Sequence, residues 1–111
     1  MKRFFVIGLG MLLAVFFYGC ASSNQDIPEV TAKMATQSGV DQVTLARGRG
    51  LYMAHCATCH EWVKPGEIDP EFWRSVTHHM AVKAKLSATE EKQVLQYVMV
   101  AHAEVHGLHE E

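Results

Sequence analysis

The sequence predicts an all-α domain of about three helices, preceded by an export segment and a flexible tether. Three observations predict it. No stretch alternates apolar and polar residues as a strand does, and there is no internal repeat. Two well-formed helix starts, Asp69-Pro70-Glu71 and Ser87-Ala88-Thr89-Glu90, lie close together in the second half. The densest apolar block, Phe4 to Phe17, stands apart from a polar, helix-forming remainder. The 111 residues have room for one compact domain, and a formal charge of −2 argues against nucleic acid and strong long-range steering.

Met1, Lys2 and Arg3 give a positive start, and fourteen uncharged residues follow from Phe4 to Phe17. A membrane-crossing helix needs about 20 apolar residues, so this stretch has the length of a secretory signal core. It ends in Tyr18-Gly19-Cys20, followed by Ala21-Ser22-Ser23. A small residue directly before a cysteine, at the end of an export signal, resembles the lipobox of bacterial lipoproteins. The resemblance implies a signal peptide over residues 1–19 and lipidation of Cys20. Phe17 and Tyr18 depart from the usual leucine and small residue, so an uncleaved signal anchor with Cys20 as an ordinary apolar residue is the alternative. On either reading the domain is membrane-attached on the periplasmic side. Ala21, in place of Asp, resembles outer-membrane sorting, which leaves inner or outer membrane open.

Residues 20–40 are rich in Ser, Thr, Gln and Ala with no sustained apolar period, which predicts a lipid-anchored flexible tether. A coil of that length reaches on the order of 25 Å. The domain is expected over 41–111. Its first helix starts at Asp41, a good N-cap, and runs towards Cys56. The second starts with Asp69 as N-cap, Pro70 at the first position and Glu71 in the first turn. The third opens on the Ser87–Glu90 capping box and runs to about His106, where Gly107 can end it. A core of some seventy residues rarely suffices by itself, so a staple is expected.

Cys56-Ala57-Thr58-Cys59-His60 supplies one, since Cys-x-x-Cys-His reads as an attachment site for a c-type haem. Two thiols three residues apart on one turn point the same way and can each add to a haem vinyl group. His60 then supplies the proximal nitrogen. A thioredoxin-like pair would open the helix of a βαβ unit, and no strand precedes the motif. A zinc site needs a second ligand pair, and none lies at suitable spacing. With Cys20 assigned to lipid and Cys56 and Cys59 to one haem c, no odd cysteine is left over.

The run Arg47-Gly48-x-x-Leu51-Tyr52-x-x-x-Cys56 resembles the N-terminal helix of small class I monohaem cytochromes c. In that family a glycine eight residues before the first cysteine lets the C-terminal helix cross closely, and an aromatic four before it packs into the crossing. Gly48 and Tyr52 hold those positions, with Leu95, Tyr97 and Val98 as expected partners. The resemblance covers residues 41–106. It implies a cytochrome c-like fold around one covalent haem and a single-electron carrier without enzymatic turnover. Its partners would be redox proteins or a membrane oxidoreductase complex. A haem subunit of a larger complex, and a haem-based sensor or peroxidase-like protein, are the alternatives.

Such carriers usually close the iron's coordination with a methionine. Phe72, Val76, Met80 and Ala84 recur at steps of four with Trp73 beside them, so Met80 is expected on the haem-facing stripe. His79 sits at its border and is the alternative ligand, whereas His78 projects elsewhere. Met53 and Met99 are expected in the core. Pro65 is a candidate for receiving the second N–H of His60, with a plain turn as the other reading, and Trp73 for lining the haem pocket. His102, His106 and His109 are expected on a solvated helix end and His55 at the surface. Lys64, Arg74, Lys83 and Lys85 could form a mild docking ring.

Overall fold

The structure is a computed structural model that describes residues 26–56 and 63–107. The fold is all-α: among the described residues there are four α-helices and no strand. Local chemistry explains each helix. The first, α1 (Ala32–Ser38), begins where Thr31 Oγ1 accepts from the Met34 N–H at 3.2 Å, and ends at Gly39, whose φ of 70° suits a residue without a Cβ. The second, α2 (Gln42–Leu51), is capped by Asp41, whose carboxylate accepts from the Thr44 N–H at 3.1 Å. A single π-helical turn, Tyr52–Cys56, continues it. The wider turn delays the residues beyond Tyr52 by about 100° relative to an unbroken α-helix.

A 3₁₀ turn, Pro65–Glu67, leads into α3 (Pro70–Ala84), with Pro70 at the first position and Glu71 in the first turn as expected. Asp69 occupies the N-cap position, but its side chain makes no capping bond. The last helix, α4 (Ala88–His106), opens on the expected capping box. Ser87 Oγ accepts from the Glu90 N–H at 3.2 Å, and Glu90 Oε1 accepts from the Ser87 N–H at 3.1 Å. The Ser87 backbone N–H, and after it the Ser87 hydroxyl, hold the Glu90 carboxyl below its usual range. Gly107, at φ 65°, closes the helix.

The main contact in the fold is the crossing of α2 over α4. Gly48 makes it possible. A Cβ there would sit on the Gln93 carbonyl oxygen, 2.7 Å from its carbon and 2.9 Å from Tyr97 Cβ. Tyr52 packs into the same crossing, its ring tilted against Tyr97 with centroids 5.9 Å apart. Of the expected partners, Tyr97 and Val98 are fully buried there. Leu95 differs: it packs at the core's edge and lines a groove towards α3, and the second neighbour of Gly48 is the Gln93 backbone.

The tether expectation needs correction. Within the described part of it, residues 26–40, Ile27 is 4% exposed in the main core and Met34 is buried on α1. Ile27, Val30 and Met34 stand at i, i+3 and i+7, but a seven-residue helix is too short for that spacing to stand out in a polar stretch. The Pro28 carbonyl accepts from Tyr97 Oη at 2.7 Å and from Arg49 Nε at 3.1 Å. The folded unit therefore includes residues 26–40, and of the expected tether only residues 20–25 lie outside what is described.

Candidate functional site

Cys56 ends the π-helical turn, half-buried against the core. Cys59 and His60 lie outside the described residues, as do Cys20 and His109. What the fold does describe is how both flanks of the 57–62 segment are held. Upstream, Tyr52 donates its hydroxyl to the Val63 carbonyl, joining the helix before the segment to the first residue after it. Burial first, and then negative charge at the neighbouring Cys56 sulfur, push the Tyr52 hydroxyl far above its ordinary value, so it stays a donor.

Downstream, the chain is held at three successive residues. Lys64 pairs with Asp26 at 2.8 Å, a contact that raises its pKa. The Pro65 carbonyl accepts from Trp73 Nε1 at 3.0 Å and faces His102 Nδ1 at 3.1 Å. The Gly66 carbonyl faces His106 Nε2 at 2.9 Å, and a Cβ on Gly66 would meet Val105 Cγ1 at 2.9 Å. The two lone pairs of Pro65 are thus engaged by Trp73 and His102, while His60, for which Pro65 was a candidate partner, lies outside the described residues.

Of the C-terminal histidines, His106 is exposed as expected and His102 is not. His102 is 6% exposed, its ring tilted against that of His106 with centroids 4.5 Å apart, and the pair clamps the end of α4 onto Pro65-Gly66. The expectation of a solvated helix end missed this because the partners lie 37 and 40 residues away in sequence. His55 is half-buried, close enough to Glu90 for their charges to interact. No group of three His, Cys, Asp or Glu suited to a metal ion occurs among the described residues.

On α3 the buried row is Trp73, Thr77 and Ala81, so the stripe is turned by one residue from the expected Phe72, Val76, Met80 and Ala84. The physical cause is Trp73, whose ring is buried and whose N–H is tied to Pro65. At about 100° per residue, Pro70, Arg74 and His78 lie on one side of that row and Phe72, Val76 and Met80 on the other. The first side closes on α4. His78 Nδ1 is 2.8 Å from Glu91 Oε1, and Pro70, Glu71 and Arg74 form a shallow groove with Leu95 and Met99. Met99 is accordingly part of the surface and not of the core.

The second side is apolar and only partly covered. Val76 touches the core, Met80 is half-buried, and Phe72 is 55% exposed. His79 points to solvent. Between the two sides, the buried Thr77 hydroxyl has no hydrogen-bond partner among the described residues. Of the four cations in the expected docking ring, Lys64 is paired with Asp26, while Arg74, Lys83 and Lys85 are exposed.

No protein-family model matches the chain. No curated protein and no solved structure matches it either.

Proposed function

We propose that this chain is an exported, membrane-attached carrier of single electrons, holding one haem c through Cys56 and Cys59 with His60 as proximal ligand. Met80 is the sixth ligand in this reading, and His79 its alternative. The observation that carries it is the motif Cys56-Ala57-Thr58-Cys59-His60 at the end of a helix whose Gly48 and Tyr52 pack against the last helix.

The surrounding side chains fit a large apolar cofactor. Phe72 faces solvent beside Val76 and Met80, an apolar edge that a porphyrin would remove from water. Thr77 buries a hydroxyl without a partner, a cost of about 1–3 kcal/mol that a polar edge of the cofactor would relieve. Tyr52, Trp73, His102 and His106 hold the two flanks of the attachment segment, which keeps its position from depending on that segment alone. When bound, the haem supplies a reversible one-electron couple, and a His–Met pair raises its potential. With His60 and Met80 both holding the iron, the bound group would offer no position to a substrate.

No helix among the described residues is long and apolar enough to cross a membrane. In this reading attachment belongs to the first twenty residues, through lipid on Cys20. The test is mass spectrometry and visible spectroscopy of full-length protein, made in a bacterium that matures c-type cytochromes and extracted from its membranes. One haem that acidified acetone does not remove, together with a lipidated N-terminal cysteine, is the expected result. Colourless protein, or pigment that the solvent extracts, overturns the haem assignment.

A further inference from the structure

The N-terminal segment is held in the fold at four successive contacts. Asp26 pairs with Lys64 at 2.8 Å, Ile27 is buried in the core, the Ile27 carbonyl accepts from Arg49 Nη2 at 3.5 Å, and the Pro28 carbonyl accepts from Arg49 and Tyr97. A segment held this way adds nothing to the reach of the tether. Six peptide links separate Cys20 from Asp26, and they span at most about 21 Å. A folded unit of some eighty residues is about 30 Å across. The link is therefore too short for the domain to turn its far side to the lipid.

The place where the chain enters the fold decides which side stays near. Lys64, the partner of Asp26, comes two residues after the 57–62 segment, and Val63 between them receives the Tyr52 hydroxyl. We propose that the Asp26–Lys64 side of the domain is held against the headgroups of the bilayer that carries the lipid, with Val63, the residue that follows the haem-attachment motif's segment in sequence, on that same side. This rests on the lipidation of Cys20 proposed above. Partners reached from that position are those whose redox centre lies at the bilayer surface, not ones that a freely swinging domain would meet in solution.

The test compares full-length lipidated protein with a variant carrying twenty Gly and Ser residues inserted after Ser23, which leaves Asp26–Pro28 intact. Both are placed on bilayers of phosphatidylethanolamine and phosphatidylglycerol. Neutron reflectometry is expected to find the parent domain directly on the headgroups, and the insert variant lifted by on the order of 10–15 Å of hydrated gap. On vesicles of the same lipids, Lys64 of the parent is expected to react more slowly with a water-soluble amine reagent than Lys64 of the insert variant. A lipidated parent that stands off as far as the variant, or equal Lys64 reactivity in the two, overturns the proposal alone. Protein without lipid at Cys20 overturns the attachment reading and this proposal with it.

Discussion

Replacing Gly48 and Gly50 by alanine, one at a time, puts the α2–α4 crossing to a test in which one helix carries its own control. Both glycines lie within α2, and on helix propensity alone each substitution should stabilise by up to about 1 kcal/mol. Among the described residues Gly50 has nothing within 4 Å of where its Cβ would stand, so it should deliver that gain. At Gly48 the new methyl would sit 2.7 Å from the Gln93 carbonyl carbon and 2.9 Å from Tyr97 Cβ, with the carbonyl oxygen closer still. Neither is the loose end of a flexible side chain, so the helices must part by about 1 Å to restore ordinary contact, forfeiting about a quarter to a half of the dispersion at each touching pair. Tyr97 and Val98 are fully buried at this crossing, and overpacking of such a core costs about 1–3 kcal/mol beyond the propensity gain. Urea unfolding followed by far-ultraviolet circular dichroism gives both numbers. Gly50→Ala should raise the midpoint and Gly48→Ala should lower it, with unchanged slopes. A stabilised Gly48→Ala protein would show that the crossing is not this close.

Four further outcomes follow from particular contacts. Ile27→Ala should cost about 2–4 kcal/mol in the same assay, since a buried side chain is truncated, whereas a residue in a loose tether would change stability by no more than about 0.5 kcal/mol. Lys85 ends α3 at φ 56°, and Lys85→Gly should raise the thermal midpoint by relieving about 1 kcal/mol of left-handed backbone strain, less the glycine's greater entropy when unfolded. Burial pushes the Tyr97 hydroxyl up to about 12, against a smaller opposing pull from Arg49. The folded state then holds that proton more tightly than the unfolded chain, so its stabilisation is complete below pH 10 and lost as pH rises through about 12. Unfolding free energies measured across that window should fall, and Tyr97→Phe should flatten part of the fall. In holoprotein, Met80→Ala should abolish the weak sulfur-to-iron absorption band of the oxidised form and open the ferrous form to carbon monoxide. An unchanged spectrum would move the sixth ligand to His79.

What could be read from residues alone, and what could not, divides along a physical line. The starts at Asp41, Pro70 and Ser87 and the stop at Gly107 depend on backbone groups within four residues, so short motifs report them. Gly48 was legible for a different reason: a glycine inside a helix is costly unless another backbone needs its space. The row on α3 was misread by one residue because Trp73, once tied to Pro65, rotates the face that is buried. His102 looked like surface because its partner carbonyl is remote in sequence, and Ile27 because composition around it is polar.

The amino-acid order by itself determined the helical class, where three of the four helices begin and where the last one ends, and the spacing of two thiols and an imidazole suited to one cofactor. Each of these is a matter of neighbours along the chain, where bond geometry limits the choices. Tertiary structure alone decided that residues 26–30 are a strap and not a leash, that the carbonyls of Pro28 and Pro65 each gather two side chains, and that His102 is interior. Those outcomes belong to groups brought together from distant positions, where the removal of water from a shared surface, and not local propensity, selects the arrangement.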